Sequence, residues 1–239
     1  MSMNNPSDKA PLFDQVKQVH QSRRSFLRYA GSAGLLAAGL ASCNKFHDYL
    51  PHGGHGNGKT VDLGSGDVGI LNYAYALEQL EAAFYTKVIA SGYHGMTDRE
   101  KSLLKDIRDH EIAHREFFKN ALSSKAIKDL EVDFSSINFN SRDSVLGTAK
   151  AFEDLGVSAY NGAGKLIANP DYLTLAGKIV SVEARHAAFI RDLISNGSFA
   201  DDTVIDANGL DKSNTPPDVL AIANTYLKTK VSGNNLPTS

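Results

Sequence analysis

Apolar residues recur at alternating spacings of three and four along four segments of the chain, and this periodicity predicts four long helices. Leu71 and Ala74 belong to the stripe of the first segment, and Leu104 belongs to that of the second. The four segments cover about residues 67–91, 97–123, 141–168 and 169–196, and a fifth, short helix is predicted for about residues 216–228.

The ends of these segments carry residues that favour the start or the end of a helix. Thr97 and Glu100 match a capping box, in which each side chain satisfies a free backbone donor. Asn169-Pro170 suits the start of the fourth helix, and Asn196-Gly197 suits its end.

The lengths of the connections indicate how the helices are arranged. A short turn at residues 92–96 joins helices one and two, and a tight Asn-Pro break joins helices three and four. A longer segment, about residues 124–140, lies between helices two and three, and although residues 132–139 alternate partly, we interpret them as an extended crossover. Two antiparallel hairpins joined by one crossover predict an all-α, ferritin-like four-helix bundle with a short C-terminal helix.

Glutamates and histidines occupy inward positions where a plain core would have leucines. Because residues three apart on a helix project from the same side, each Glu-x-x-His motif presents both side chains together. Buried carboxylates are costly unless they are paired or bind a metal, and oxygen and imidazole donors suit iron or manganese. One glutamate from each of two helices, with Glu-x-x-His from each of the other two, predicts a site for two metal ions. The predicted ligands are Glu78, Glu111, His114, Glu153, Glu183 and His186.

Several assignments around this set stay open. Glu81 is also inward and is an alternative or additional ligand to Glu78. Tyr85 and Tyr160 lie two helical turns beyond the inward glutamates of helices one and three, where they would hydrogen-bond a ligand, carry a radical or simply fill the core. His110 is interpreted as a flank residue and not a ligand. The alternatives for the whole set are surface ion pairs, or a retained site that no longer binds metal.

The N-terminal residues have the pattern of an export signal. Arg23 and Arg24 lie in Ser-Arg-Arg-Ser-Phe-Leu, which resembles the twin-arginine export motif. The following Gly- and Ala-rich run, residues 29–41, is too short to span a membrane. Leu-Ala-Ser-Cys ending at Cys43 resembles a bacterial lipobox, and the alternative is a plain signal peptide with an incidental cysteine.

Four regions are therefore expected along the chain. Residues 1–43 form the signal with its lipobox, and residues 44–66 form a Gly- and His-rich linker. Residues 67–197 form the bundle, and residues 198–239 form a C-terminal extension. His47, His52 and His55 of the linker are interpreted as polar spacer, although histidine-rich tracts can bind metal.

Composition excludes some kinds of function. Hydrophobic residues make up 42% of the chain, enough for a sizeable core, and the formal net charge of −2 gives no argument for nucleic-acid binding. The chain has one cysteine, so no internal disulfide, thiolate zinc site or iron–sulfur cluster can form.

Four stretches resemble a ferritin-like family of bacteria and plants that includes desiccation-related proteins. They are LNYAYALEQLEAAFY from Leu71, HEIAH from His110, FED from Phe152 and VEARH from Val182. The resemblance covers about residues 67–197 and implies the bundle and its two-metal site. Glu78 is preferred to Glu81 because its separation from Glu111 resembles that in rubrerythrins and bacterioferritins.

The expected activity is oxidoreductase chemistry on oxygen, peroxide or ferrous iron, of ferroxidase, peroxidase or manganese-catalase type. Rubrerythrins relay electrons through cysteine pairs, which this chain lacks, so an electron donor would be a separate partner. We expect an exported protein of the periplasm or cell envelope, transported by the twin-arginine machinery and anchored to the membrane by lipidated Cys43. A lipid tether suits a monomer or small oligomer better than a mineral-storing cage. The alternative is a non-catalytic, stress-associated protein that binds metal or serves a structural role in the envelope.

Overall fold

The computed structural model describes residues 60–238, and these residues form the predicted bundle of helices. Two short strands, β1 (Val61–Asp62) and β2 (Val231–Ser232), pair in parallel, and short 3-10 turns lie at Ser123–Lys125 and Asn224–Tyr226. The helices are α1 (Gly66–Ser91), α2 (Asp98–Leu122), α3 (Arg142–Gly164), α4 (Pro170–Ile194) and the short α5 (Pro216–Ala223).

The helix starts follow the predicted capping chemistry. Thr97 Oγ1 accepts a hydrogen bond from the backbone N–H of Glu100 at 3.1 Å, and the Glu100 side chain accepts one from the Thr97 N–H at 2.9 Å. Asn169 Oδ1 accepts a hydrogen bond from the Asp171 N–H at 2.8 Å, and Pro170 is the first residue of α4. These side chains satisfy backbone donors that have no partner within the helix.

Helix α3 ends at Gly164, four residues before the predicted end at residue 168. The backbone N–H groups of Ala168 and Asn169 instead donate to the carboxylate of Asp67, at 2.8 and 3.0 Å. The side chain of Asp67, at the start of α1, therefore binds the connection between α3 and α4, and the periodicity of α3 alone could not reveal this contact.

Helix α1 is largely buried within the described residues. Tyr73, Tyr75, Phe84 and Tyr85 of this helix are each at most 1% exposed. The crossover between α2 and α3 covers part of α1 with aromatic side chains, since Phe134 packs edge-on against Phe84 with ring centroids 6.0 Å apart. Every polar side chain on the inner face of α1 is therefore removed from water.

The segment after α4 contacts the bundle through an arginine of α4 and through a glycine of α3. Arg191, which is buried, donates to both oxygens of Asp154 at 2.7 and 2.8 Å and to Asp201 at 3.1 Å. Farther along, the chain crosses Gly162 of α3 so closely that a Cβ there would lie 1.7 Å from the carbonyl oxygen of Asn214. The C-terminal extension thus packs on the bundle, and β2 returns it to the start of α1.

Some predictions fall outside the described residues. Arg23, Arg24 and Cys43 of the predicted export signal lie there, as do the three linker histidines. The fourfold division of the chain stays a prediction. Within residues 60–238, every helix is too short or too polar to cross a lipid bilayer.

Candidate metal centre

The four long helices bring all six predicted ligand side chains to one place in the interior. Helices α1 and α3 each contribute one glutamate, while α2 and α4 each contribute a glutamate and a histidine three residues later. All four glutamates are 0% exposed. The contributing residues are Glu78, Glu111, His114, Glu153, Glu183 and His186.

The ligand atoms form two overlapping groups, and within each group all of them lie within 4.8 Å of one another. The first group is Glu78, Glu111, His114 and Glu183, and the second group is Glu111, Glu153, Glu183 and His186. Each group therefore has its own histidine and its own glutamate, and the two glutamates of the Glu-x-x-His motifs belong to both.

Each histidine turns its Nδ1 towards the motif glutamate of the other hairpin. His114 Nδ1 lies 2.9 Å from Glu183 Oε1, and His186 Nδ1 lies 2.8 Å from Glu111 Oε1. These distances are those of ion pairs, but their angles are not those of hydrogen bonds, so within residues 60–238 both Nδ1 atoms and the oxygens of Glu111 and Glu183 lack hydrogen-bond partners. Buried polar atoms that converge without bonding one another are the arrangement that a bound cation would satisfy.

Two tyrosines hold the remaining glutamates across the bundle. The hydroxyl of Tyr85 on α1 donates to Glu153 Oε1 on α3 at 2.5 Å, and that of Tyr160 on α3 donates to Glu78 Oε1 on α1. Burial raises the pKa of both hydroxyls well above the ordinary value, so both remain protonated donors near neutral pH. The other oxygen of each carboxylate, Oε2, is left facing the cluster.

The glutamates shared by the two groups have pKa values that move in opposite directions. Burial, followed by the charge of Glu183, raises the pKa of Glu111 to about 8. For Glu183 the effect of burial is outweighed by the two imidazoles, and its pKa falls to about 2. The two carboxylates titrate as a pair: the first ionises easily beside the cations, and the second resists a further buried negative charge.

Both imidazoles are strong bases in this setting. Burial is the largest single influence and lowers their pKa, but the surrounding glutamates together outweigh it, Glu78 foremost at His114 and Glu153 foremost at His186. Both pKa values are therefore raised above the ordinary range. Without metal, protons on the imidazoles balance part of the buried negative charge. A metal ion would have to displace those protons.

Glu81 is buried but lies outside both groups of ligand atoms. Its carboxylate is close to Gly156 of α3, where a Cβ would lie 3.2 Å from Glu81 Oε1. Burial, then the charge of Glu111, raises its pKa well above the ordinary value. A cavity of about 10 Å³ beside Glu81 has room for about one water-sized molecule. Its role as an alternative or additional ligand stays a prediction.

His110, interpreted from the sequence as a flank residue, contacts one of the ligand histidines directly. Its Nδ1 lies 2.9 Å from Nε2 of His186, and the two rings are within 8° of parallel. This contact could not be predicted from the sequence because His110 lies off the inward stripe of α2 and its partner is 76 residues away on α4.

The arrangement can bind a metal ion through carboxylate and imidazole donors, which suit iron and manganese. A family model described as a ferritin-like domain matches residues 66–196, more than half of the 239 residues. A search of curated proteins found no match for the chain.

Proposed function

The chain belongs to the ferritin-like domain family, and we propose that it is an exported protein that binds two iron or manganese ions for redox chemistry on oxygen, peroxide or ferrous iron. The observation that carries this proposal is the buried cluster of four glutamates and two histidines, whose inward atoms lack hydrogen-bond partners within residues 60–238.

The negative charge of the buried glutamates supports the binding of two divalent ions at this site. Ionised, the four buried glutamates carry four negative charges, and the imidazoles that bind metal must be neutral. Two divalent cations would cancel that charge, whereas an uncompensated charge in the interior costs several kcal/mol or more. The first group would hold one ion and the second group the other, with Glu111 and Glu183 shared between them.

Two such ions, when bound, supply electrons in pairs to a small oxidant. The protein fixes the ligands around them. The hydroxyls of Tyr85 and Tyr160 hold one oxygen of Glu153 and Glu78 and leave the other free to bind metal. Because all four glutamates are fully buried, a substrate the size of oxygen or peroxide would reach this site more readily than an organic molecule.

Export and anchoring are part of the proposal and are supported by the sequence alone. Arg23 and Arg24 resemble the twin-arginine motif, and Cys43 closes a lipobox-like sequence, which favours a protein lipid-anchored in the cell envelope. Cys43 is the single cysteine, so net reduction of a substrate would need an external electron donor. Dismutation of peroxide would need none. The resemblance to desiccation-related proteins favours a role in oxidative stress.

Metal binding without turnover is the second candidate. The complete burial of the four glutamates favours it, because it restricts access to bound ions. This candidate shares the same ligand set and differs only in its reactivity.

The first experiment is elemental analysis of iron, manganese and zinc in the purified protein, with Glu111→Ala and His186→Ala as site variants. Asn120→Ala is the control, since Asn120 is an exposed residue of α2. We expect two ions per wild-type chain and control chain, and fewer in each site variant. Unchanged metal content in both site variants would refute the site.

The second experiment separates the two candidates. Reduced, metal-loaded protein is mixed rapidly with oxygen and, separately, with peroxide, and absorbance and oxidant consumption are followed. Turnover or a metal-dependent spectral change supports the redox enzyme. A metal-loaded protein that is inert to both oxidants would leave binding without turnover as its function.

A further inference from the structure

The two hairpins contribute ligands in the same order but are not equivalent just outside the cluster. Each hairpin supplies one glutamate and then one Glu-x-x-His motif. The residue immediately before that motif is His110 in α2 and Val182 in α4. The imidazole of His110 can accept a hydrogen bond, whereas the isopropyl group of Val182 cannot.

The contact between His110 and His186 determines which nitrogen of His186 can bind metal. The Nδ1 of His186 faces the cluster, 2.8 Å from Glu111 Oε1, so its Nε2 is the outer nitrogen. A neutral imidazole carries one proton, and Nδ1 has a free lone pair only when that proton is on Nε2. His110 Nδ1, at 2.9 Å from Nε2, is placed to accept that proton in a hydrogen bond.

The same contact also fixes the plane of the His186 ring. The two imidazoles are within 8° of parallel and their centroids are 5.2 Å apart, as expected for rings joined edge to edge by a hydrogen bond. His186 is buried, so few water molecules could replace this partner. Outer partners of ligand histidines commonly contribute about 10- to 100-fold to metal affinity.

We propose that His110 is a positioning residue that makes the two metal positions unequal, so that the second group, which contains His186, holds its ion more tightly than the first. This inference rests on the proposed two-metal site. It adds that the site is asymmetric, and it identifies His110, which is not itself a ligand, as a cause.

The test is a titration of metal-free protein with Co²⁺, followed by calorimetry and by the visible absorption of bound cobalt. Co²⁺ is chosen because it reports its coordination in the spectrum and is less prone to oxidation by air than Fe²⁺. We expect wild type to bind two ions in two unequal steps. His110→Ala should weaken the tighter step about 10- to 100-fold, change the cobalt bands that accompany it, and leave the weaker step unchanged.

Two further variants separate positioning from general disturbance. His110→Asn keeps an acceptor oxygen near the place of Nδ1 and should restore most of the lost affinity and the cobalt bands. Val182→Ala changes the equivalent position of the other hairpin and should leave both steps as in wild type. Far-UV circular dichroism establishes that each variant is folded.

The outcomes distinguish this inference from the proposed function. A wild type that binds fewer than two cobalt ions would refute the two-metal site itself. Three other results would leave the two-metal site in place and overturn the role of His110. They are two ions bound by wild type with equal affinity, an unchanged affinity of the tighter step in His110→Ala, and an equal loss of affinity from both steps in that variant. An effect of Val182→Ala on metal affinity as large as that of His110→Ala would also overturn the role of His110.

Discussion

Replacing Glu111 by glutamine should stabilise the metal-free protein while it damages the metal site. Burial and the charge of Glu183 raise the pKa of Glu111 to about 8 from an ordinary value of 4.5, so at pH 7 the folded, metal-free protein carries Glu111 protonated. Glutamine is a neutral group of the same shape, and it therefore changes this folded state little. The unfolded wild type ionises Glu111 at pH 7, and the unfolded variant has nothing to ionise there.

The magnitude follows from this difference between the folded and unfolded states. A group whose pKa is raised on folding contributes stability that is complete below its unfolded pKa and is lost as the pH rises towards its folded pKa. For Glu111 that window is pH 4.5 to about 8. At about 1.4 kcal/mol per pH unit, the loss at pH 7 is about 3 kcal/mol. Glu111→Gln should recover about this amount at pH 7 and almost nothing at pH 4.5.

Urea unfolding with a chelator present, at pH 7 and at pH 4.5, measures this difference. Circular dichroism is the suitable signal because the chain has no tryptophan. Glu116→Gln is the matched control, because Glu116 is on the same helix but pairs with Arg115 at the surface, and its stability should change by less than about 0.5 kcal/mol.

Added metal should reverse the order of stability. At a hundredfold excess of metal over its dissociation constant, each of the two ions should raise the unfolding free energy of wild type by about 2.7 kcal/mol, which together exceeds the advantage of about 3 kcal/mol that Glu111→Gln has without metal. The unfolding free energy of Glu111→Gln should rise by much less. A metal-free variant no more stable than wild type at pH 7, or a gain that is the same at both pH values, would show that folding does not raise the pKa of Glu111.

Three other changes test different parts of the structure. Metal affinity should rise with pH, because the pKa values of both ligand imidazoles are raised and a metal must displace their protons. Calorimetry in buffers of different ionisation enthalpy should therefore show proton release on metal binding, and the absence of proton release would contradict this prediction. Tyr160→Phe removes the hydroxyl that holds Glu78 and should lower metal affinity about tenfold in a cobalt titration, with unchanged affinity as the opposing result. Gly162→Ala should lower the midpoint of urea unfolding, since its Cβ would meet the carbonyl of Asn214 at 1.7 Å. Gly147→Ala, on the same helix with open space around it, should instead be neutral or stabilising by up to about 1 kcal/mol, and equal effects of the two would contradict the clash.

The helices and the inward positions of the six side chains could be predicted because both follow from the spacing of residues within one helix. A helix repeats every 3.6 residues, so the spacing of Glu111 and His114 alone predicts that they are neighbours on one inward face. The same holds for Glu183 and His186 on α4. The capping residues of α2 are equally local, since Thr97 and Glu100 satisfy each other's backbone.

Contacts between distant segments could not be predicted from spacing. Asp67 accepts hydrogen bonds from the N–H groups of residues 168 and 169, about a hundred positions later. The parallel pairing of Val61 with Val231 joins two strands too short to show an alternating pattern. His110 finds its partner across the bundle on α4. The contact of His110 depends on how α2 and α4 are rotated about their axes, and periodicity does not determine that rotation to within one side chain. The other two contacts depend on how segments outside the helices fold back, which helical periodicity does not describe.

The crossover that joins the hairpins has a consequence for symmetry. Two identical hairpins, paired as a two-fold dimer, could supply the same six side chains, since each would contribute one glutamate and one Glu-x-x-His. In such a dimer every contact occurs twice, because each residue of one subunit makes the same contacts as its copy in the other subunit. A histidine before the motif would then be present in both halves. A single chain is free of this rule, so a substitution at residue 110 or residue 182 alters one half alone, and two positions that a dimer would keep identical can acquire different affinities.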